Sequence, residues 1–164
     1  MTIRKTLTAG LLTATMLSTA AFADTTMVKE VNVDVEMEDL ENATAAAHWT
    51  MISDDLENAI VERLVDRIDD EGVRISIDVN EVELANTLQS AAGVADSSLS
   101  GRVKIISPND NSKFNTYDLT VTFAQAILFF PEDLDVSALT TNSKEYYDGM
   151  IAAFAEHVVK RLDG

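Results

Sequence analysis

Val31, Val33, Val35 and Met37 alternate with Asn32, Asp34, Glu36 and Glu38, a period of two that predicts a strand buried on one face. The next segment has a different rhythm. Between Asp54 and Ile68 the apolar residues Leu56, Ile60, Leu64 and Ile68 recur four apart, with Val61 and Val65 beside them, which predicts an amphipathic helix. Ser53 and Asp54 are placed to cap its start, Asp54 with Glu57 resembles a capping box, and Gly72 stands where a left-handed turn would end it. Glu57 and Arg63 read as surface.

Alternation returns at residues 73–84. Val73, Ile75, Ile77 and Val79 keep one phase while Val82 and Leu84 resume in the other, so a bulge or the strand's end is expected at Asn80-Glu81. LSGRVKIIS and NTYDLTVTFAQA give a third and a fourth strand, with Pro108-Asn109-Asp110-Asn111 as the turn between them. In SKEYYDGMIAAFAEHVVKRLDG, residues Tyr147, Ile151, Phe154, Val158 and Leu162 fall at helical spacing. Caps are available from Asn142 to Glu145, and Lys160 and Arg161 complement the carbonyl end.

Two one-sided helices and four alternating strands can only bury their apolar sides against each other. The expected fold class is α+β: a two-layer sandwich, a roughly four-stranded mixed sheet with both helices on one face, in the order β-α-β-β-β-α. The first two strands, joined through a helix, should be parallel with a right-handed crossover, and the later ones antiparallel. The alanine-rich stretch 39–53 around Trp49 suggests a short helix, and 85–98 a loop.

The start of the chain changes the picture of where it works. Arg4 and Lys5 precede an apolar stretch from Leu7 to Ala20, then Ala21-Phe22-Ala23, the pattern of a secretory signal peptide cleaved after Ala23. That stretch falls short of the roughly 20 residues a spanning helix needs. Residues 1–23 therefore read as signal and 24–164 as one domain, exported to the bacterial periplasm without an anchor, since there is no cysteine to accept lipid.

Charge narrows the partners. With Arg4 and Lys5 removed, 10 basic residues remain against 28 acidic ones, a net charge of −18. Nucleic acid and anionic membrane are disfavoured, because both need clustered cations.

Candidate chemistry is thin. The two histidines, His48 and His157, lie on different elements, and no cysteine is present to complete a zinc site. No serine sits in a glycine-flanked elbow, no glycine set cradles phosphate, and SPNDNSKFNTYD fails as a calcium loop for want of alternate ligands, the glycine and the closing glutamate. More acidic positions deserve weight: Asp34 and Glu36 of the first strand with Asp78, Asn80, Glu81 and Glu83 of the second should share the wet face. There they read first as a solvated surface ion-paired with Arg102 and Lys104, and alternatively as a cation site, calcium being the natural candidate and the sole cofactor considered. Ala126 to Phe130, AILFF, has no polar relief. It reads as the buried end of the fourth strand, or as an apolar lip of Ile127, Leu128, Phe129 and Phe130 where a partner or acyl chain docks.

GVADSSLSGRVKI, a loop leading into a strand, resembles the same passage in small α/β domains of bacterial envelope lipoproteins that assist outer-membrane or peptidoglycan assembly. The resemblance implies an envelope location but not their lipid anchor, and fold analogy licenses no activity. The expectation is a soluble periplasmic binding or accessory protein acting through contacts with an envelope protein or a small ligand. A divalent-cation binder is the alternative, a periplasmic hydrolase comes third, and an enzyme is disfavoured.

Overall fold

The computed structural model describes residues 25–35, 50–83, 98–108, 114–139 and 143–162, with the backbone alone at 80–83 and 138. The signal segment, the stretch with His48 and Trp49, the 84–97 link and the Asn109-Asp110-Asn111 turn lie outside these residues.

The alternating segments become strands β1 (Val28–Val35), β2 (Val73–Glu83), β3 (Ser98–Ile106) and β4 (Phe114–Thr122). They lie side by side in chain order, β1 parallel to β2 and the rest antiparallel. The bulge foreshadowed by the phase shift is present: Val79 pairs with Gly101 and Glu81 with Ser100, leaving Asn80 as the extra residue. Period-two burial sends Val31, Val33, Ile75, Ile77, Val79, Leu99, Val103, Ile105 and Val121 to one face.

Helix α1 (Ile52–Arg63) and the C-terminal helix α3 (Lys144–Leu162) pack on each other, α1 against β1 and α3 against β3 and β4. Leu56 and Ile60 of α1, with Leu64 just past its end, meet Met150, Phe154, Val158 and their neighbours in a single apolar core. Burying it is the main force holding the two layers together. The result is the expected α+β sandwich.

Three local details depart from the sequence reading. First, α1 stops at Arg63 and passes into a 3-10 turn, Val65–Arg67, rather than running to Ile68. The chain must leave the helix there because Ile68 bridges Val28 and Asp69 N–H donates to Val28 O, which starts β1 beside β2. Gly72 is accordingly no helix cap; a Cβ on it would lie 2.5 Å from the carbonyl carbon of Val28, so glycine is required for the close approach to β1.

Second, neither Ser53 nor Asp54 caps α1, whose N-cap is Met51 with no side-chain bond. The Ser53 hydroxyl donates instead to the Val33 carbonyl of the edge strand β1. Arg63, read as surface, bonds Glu156 at 3.3 Å and ties α1 to α3.

Third, β4 ends at Thr122, and AILFF is not its buried end. Phe123–Ala126 forms a one-turn helix, α2, continued by a 3-10 turn, Ile127–Phe129. Gln125 Oε1 accepts the Thr122 N–H at 2.9 Å, as in a capping box, and turns the chain out of the sheet.

Candidate functional site

The lip is built on anchored ground. Ala126 is fully buried, and Phe129 and Phe130 pack against the core. Phe123 stands with its ring centroid 5.8 Å from Phe130 and 5.6 Å from Tyr146 of α3, the second pair stacked. Phe130 presses so closely on α3 that a Cβ on Gly149 would lie 2.0 Å from its Cε1. What this platform presents outward is Ile127, 39 % exposed, and Leu128, 84 % exposed.

Acids border the pair. Glu132 and Asp133 are exposed just beyond Pro131, and Asp135 accepts from the Ser137 hydroxyl at 2.6 Å and the Ser137 N–H at 3.0 Å, which together hold its carboxyl below the usual range. The four residues read as one lip therefore divide, two packed against the core and two exposed. No sequence reading separated them, although T-x-x-Q at Thr122 to Gln125 was a usable sign that the strand had ended.

The second candidate lies on the open face of the sheet. Register places Asp34, Asp78, Arg102 and Asp118 in one row across all four strands. Arg102 Nε sits 2.9 Å from Asp118, and this bond, with a smaller contribution from Asp78, raises its pKa. Lys104 falls between Ser76 and Thr116 in the next row, so it meets no acid in register, while Glu30 pairs with Arg74 at 2.9 Å. Of the six candidate cation ligands, the side chains of Asp34 and Asp78 are brought together. Glu36 lies outside the described residues, and Asn80, Glu81 and Glu83 are described by backbone only. Among the described residues, no three acids or histidines gather closely enough to hold an ion.

Two surface hollows lie elsewhere on the molecule. One, of about 830 Å³, runs between α1 and α3 past Asp55, Glu62, Arg63, Lys144 and Tyr147. At its wall the Tyr147 hydroxyl donates to Asp55 at 2.6 Å, and burial with this carboxylate raises the phenol's pKa. The other, of about 240 Å³, lies where Arg161 and Leu162 meet Val73, Ile105 and Phe114. Arg161 stands 5.1 Å over the Tyr117 ring. His157 is half-buried on α3 and lines neither hollow. No helix among the described residues is long and apolar enough to cross a membrane.

No family model matches the sequence, and no curated protein matches it. Among solved structures, the chain is similar to a PelC chain from a dodecamer of Paraburkholderia phytofirmans, with TM-score 0.46 and 11 % identity over 84 % of this chain and 86 % of that one. It is also similar to a DUF330 protein of Xanthomonas campestris, with TM-score 0.40 and 13 % identity over 83 % and 82 %. A candidate lipoprotein of Caulobacter crescentus CB15 gives TM-score 0.38 and 12 % identity over 81 % and 87 %. These likenesses concern the path of the chain alone.

Proposed function

We propose that the protein is an exported periplasmic accessory protein of the bacterial envelope that works by docking a partner on the Ile127-Leu128 lip. One observation carries the reading: a leucine 84 % exposed on a turn that the half-buried rings of Phe123 and Phe130 hold in place. An isolated exposed leucine is ordinary, but this one stands beside Ile127 on an anchored platform, where little ordering entropy is lost on contact. Export rests on the leader-like residues 1–23, and N-terminal sequencing of the secreted protein should begin at Asp24.

The test is site-specific photocrosslinking in cells. A photoreactive side chain at position 128 should give a discrete adduct with an envelope component, and the same group at Asp66 should not. Leu128→Glu should remove the function while leaving the circular dichroism unchanged. Equal adducts from both positions would discard the lip.

A second reading, calcium on the open face, is favoured by the direct register of Asp34 with Asp78. Calorimetry on chelator-treated protein decides it. Saturable heat that Asp78→Asn with Glu81→Gln removes supports the site, and no heat in dilute salt rejects it.

A further inference from the structure

The sheet has two edges, and they are finished differently. Along β1, Ser53 takes the Val33 carbonyl, Asp69 N–H takes the Val28 carbonyl, and the register slips between Val28 and Glu30. Such devices keep a second strand away. Among the described residues, none is present along β4. Its nine residues, FNTYDLTVT, pair with β3 without a slip and contain no lysine, proline or glycine. Among the described residues, the backbone groups of β4 bonded away from β3 lie at its last residue, where Thr122 N–H is held by Gln125 as the chain turns into α2.

An unguarded, regular, β-branched edge is a template for another strand. We propose that it pairs with β4 of a second copy of this chain, antiparallel, with Leu119 on the two-fold axis. An isologous contact must match itself, and because facing residues share a face of the sheet, the axis must pass through a single residue. With Leu119 there, Leu119 faces its copy and Tyr117 faces Val121 on the helix side. On the open side Asp118 faces Thr120 and Thr116 faces Thr122.

The other registers match worse, Thr120 on the axis because only residues 118–122 of β4 would then pair. Asp118 on the axis sets two carboxylates opposite each other, Thr116 sets Asp118 against Phe114, and Tyr117 sets Leu119 against Asn115. Charge favours the same arrangement: Asp118 is the single charged residue of β4, and it already holds Arg102. A strongly acidic chain thus has one edge where two copies can approach without facing like charges.

The chain contains no cysteine, so one introduced thiol reports cleanly. By sedimentation the full mature protein should have twice the mass of one chain, and Leu119→Cys should form an interchain disulfide under mild oxidation. Val65→Cys, on the 3-10 turn after α1 and 69 % exposed, should not. Thr120→Arg, facing Asp118 of the other copy, should tighten the dimer about tenfold, and Thr120→Asp, on the exposed side of β4, should weaken it by a similar factor. Leu128→Glu should leave the mass unchanged, which separates this surface from the lip.

A monomer at every concentration overturns the proposal, as does a crosslink from Thr116→Cys in preference to Leu119→Cys. A position-119 thiol that captures a different polypeptide reassigns the edge to that partner and overturns self-pairing.

Discussion

One sheet presents two faces made by alternate residues of the same strands, and the two are governed by different physics. On the helix face, Ile75, Ile77, Val79 and Val103 are closed over by α1 and α3 until almost nothing of them reaches water. On the open face, Asp34, Asp78, Arg102 and Asp118 form a row in solvent, and both members of the Arg102–Asp118 pair are at least half exposed. Area removed from water sets the energy of the first face, whereas screened charges of small net value decorate the second. The difference means that stability should be concentrated on one side of a sheet only one residue thick.

Phe154→Ala should break that asymmetry most severely. The side chain is fully buried, and its ring reaches across from α3 to Gly101 of β3, so truncation leaves a cavity at the seam between the layers. The expected loss is about 3–5 kcal/mol in chemical denaturation. Gly149→Ala should follow at about 1–3 kcal/mol, because the new methyl collides with Phe130. It should also shift the lip, so the near-ultraviolet signal of the Phe123–Tyr146 stack should change with it.

Ser53→Ala removes the hydroxyl that fastens α1 to the edge strand and should cost about 1 kcal/mol, with faster hydrogen exchange in β1 than in β3. Tyr117 tests the boundary between the two regimes by pH. Burial pushes its phenol up from 10.0 to about 12, with Arg161 opposing. The folded state therefore holds the proton more tightly than the unfolded chain, and stability should fall as pH rises from 10 toward 12. Tyr117→Phe should flatten that part of the curve in thermal melts. The smallest effect belongs to the open face: Arg102→Ala should move the denaturation midpoint least of all, and less still in high salt.

Much of this frame was legible in the sequence, because periodicity reports burial directly. Val31 and Val33, Ile75 to Val79, and the Phe154-Val158-Leu162 stripe each follow the period of the element that buries them, and the break in phase after Val79 pointed to a bulge or the strand's end at Asn80-Glu81, of which the structure has the bulge. What failed were residues whose roles depend on a distant partner. Ser53 has the chemistry of a cap, but the Val33 carbonyl competes for it; Gly72 resembles a helix terminator until β1 comes to lie against it. AILFF was opaque for another reason: an unbroken apolar run carries no period, so strand and helical turn look alike. The exposure of Leu128 became visible only when the turn after Gln125 was known. On the open face, the acids and Arg102 were recognised as neighbours, but which acid the arginine takes depended on the order of the strands.

The sheet's sequential strand order also bears on how the chain acquires its fold. β2, β3 and β4 follow one another as antiparallel neighbours, so each pairing closes a shorter stretch of chain than the β1–β2 crossover does, and loop closure is the chief entropic toll on the way to a native sheet. β1 is different. Its parallel pairing must wait until the intervening helical crossover has been laid down, which makes the three antiparallel neighbours the natural nucleus and β1 the late arrival. The contacts made by Ser53 and Asp69 then act as latches, engaging last on the way in and, by the same ordering, releasing first on the way out.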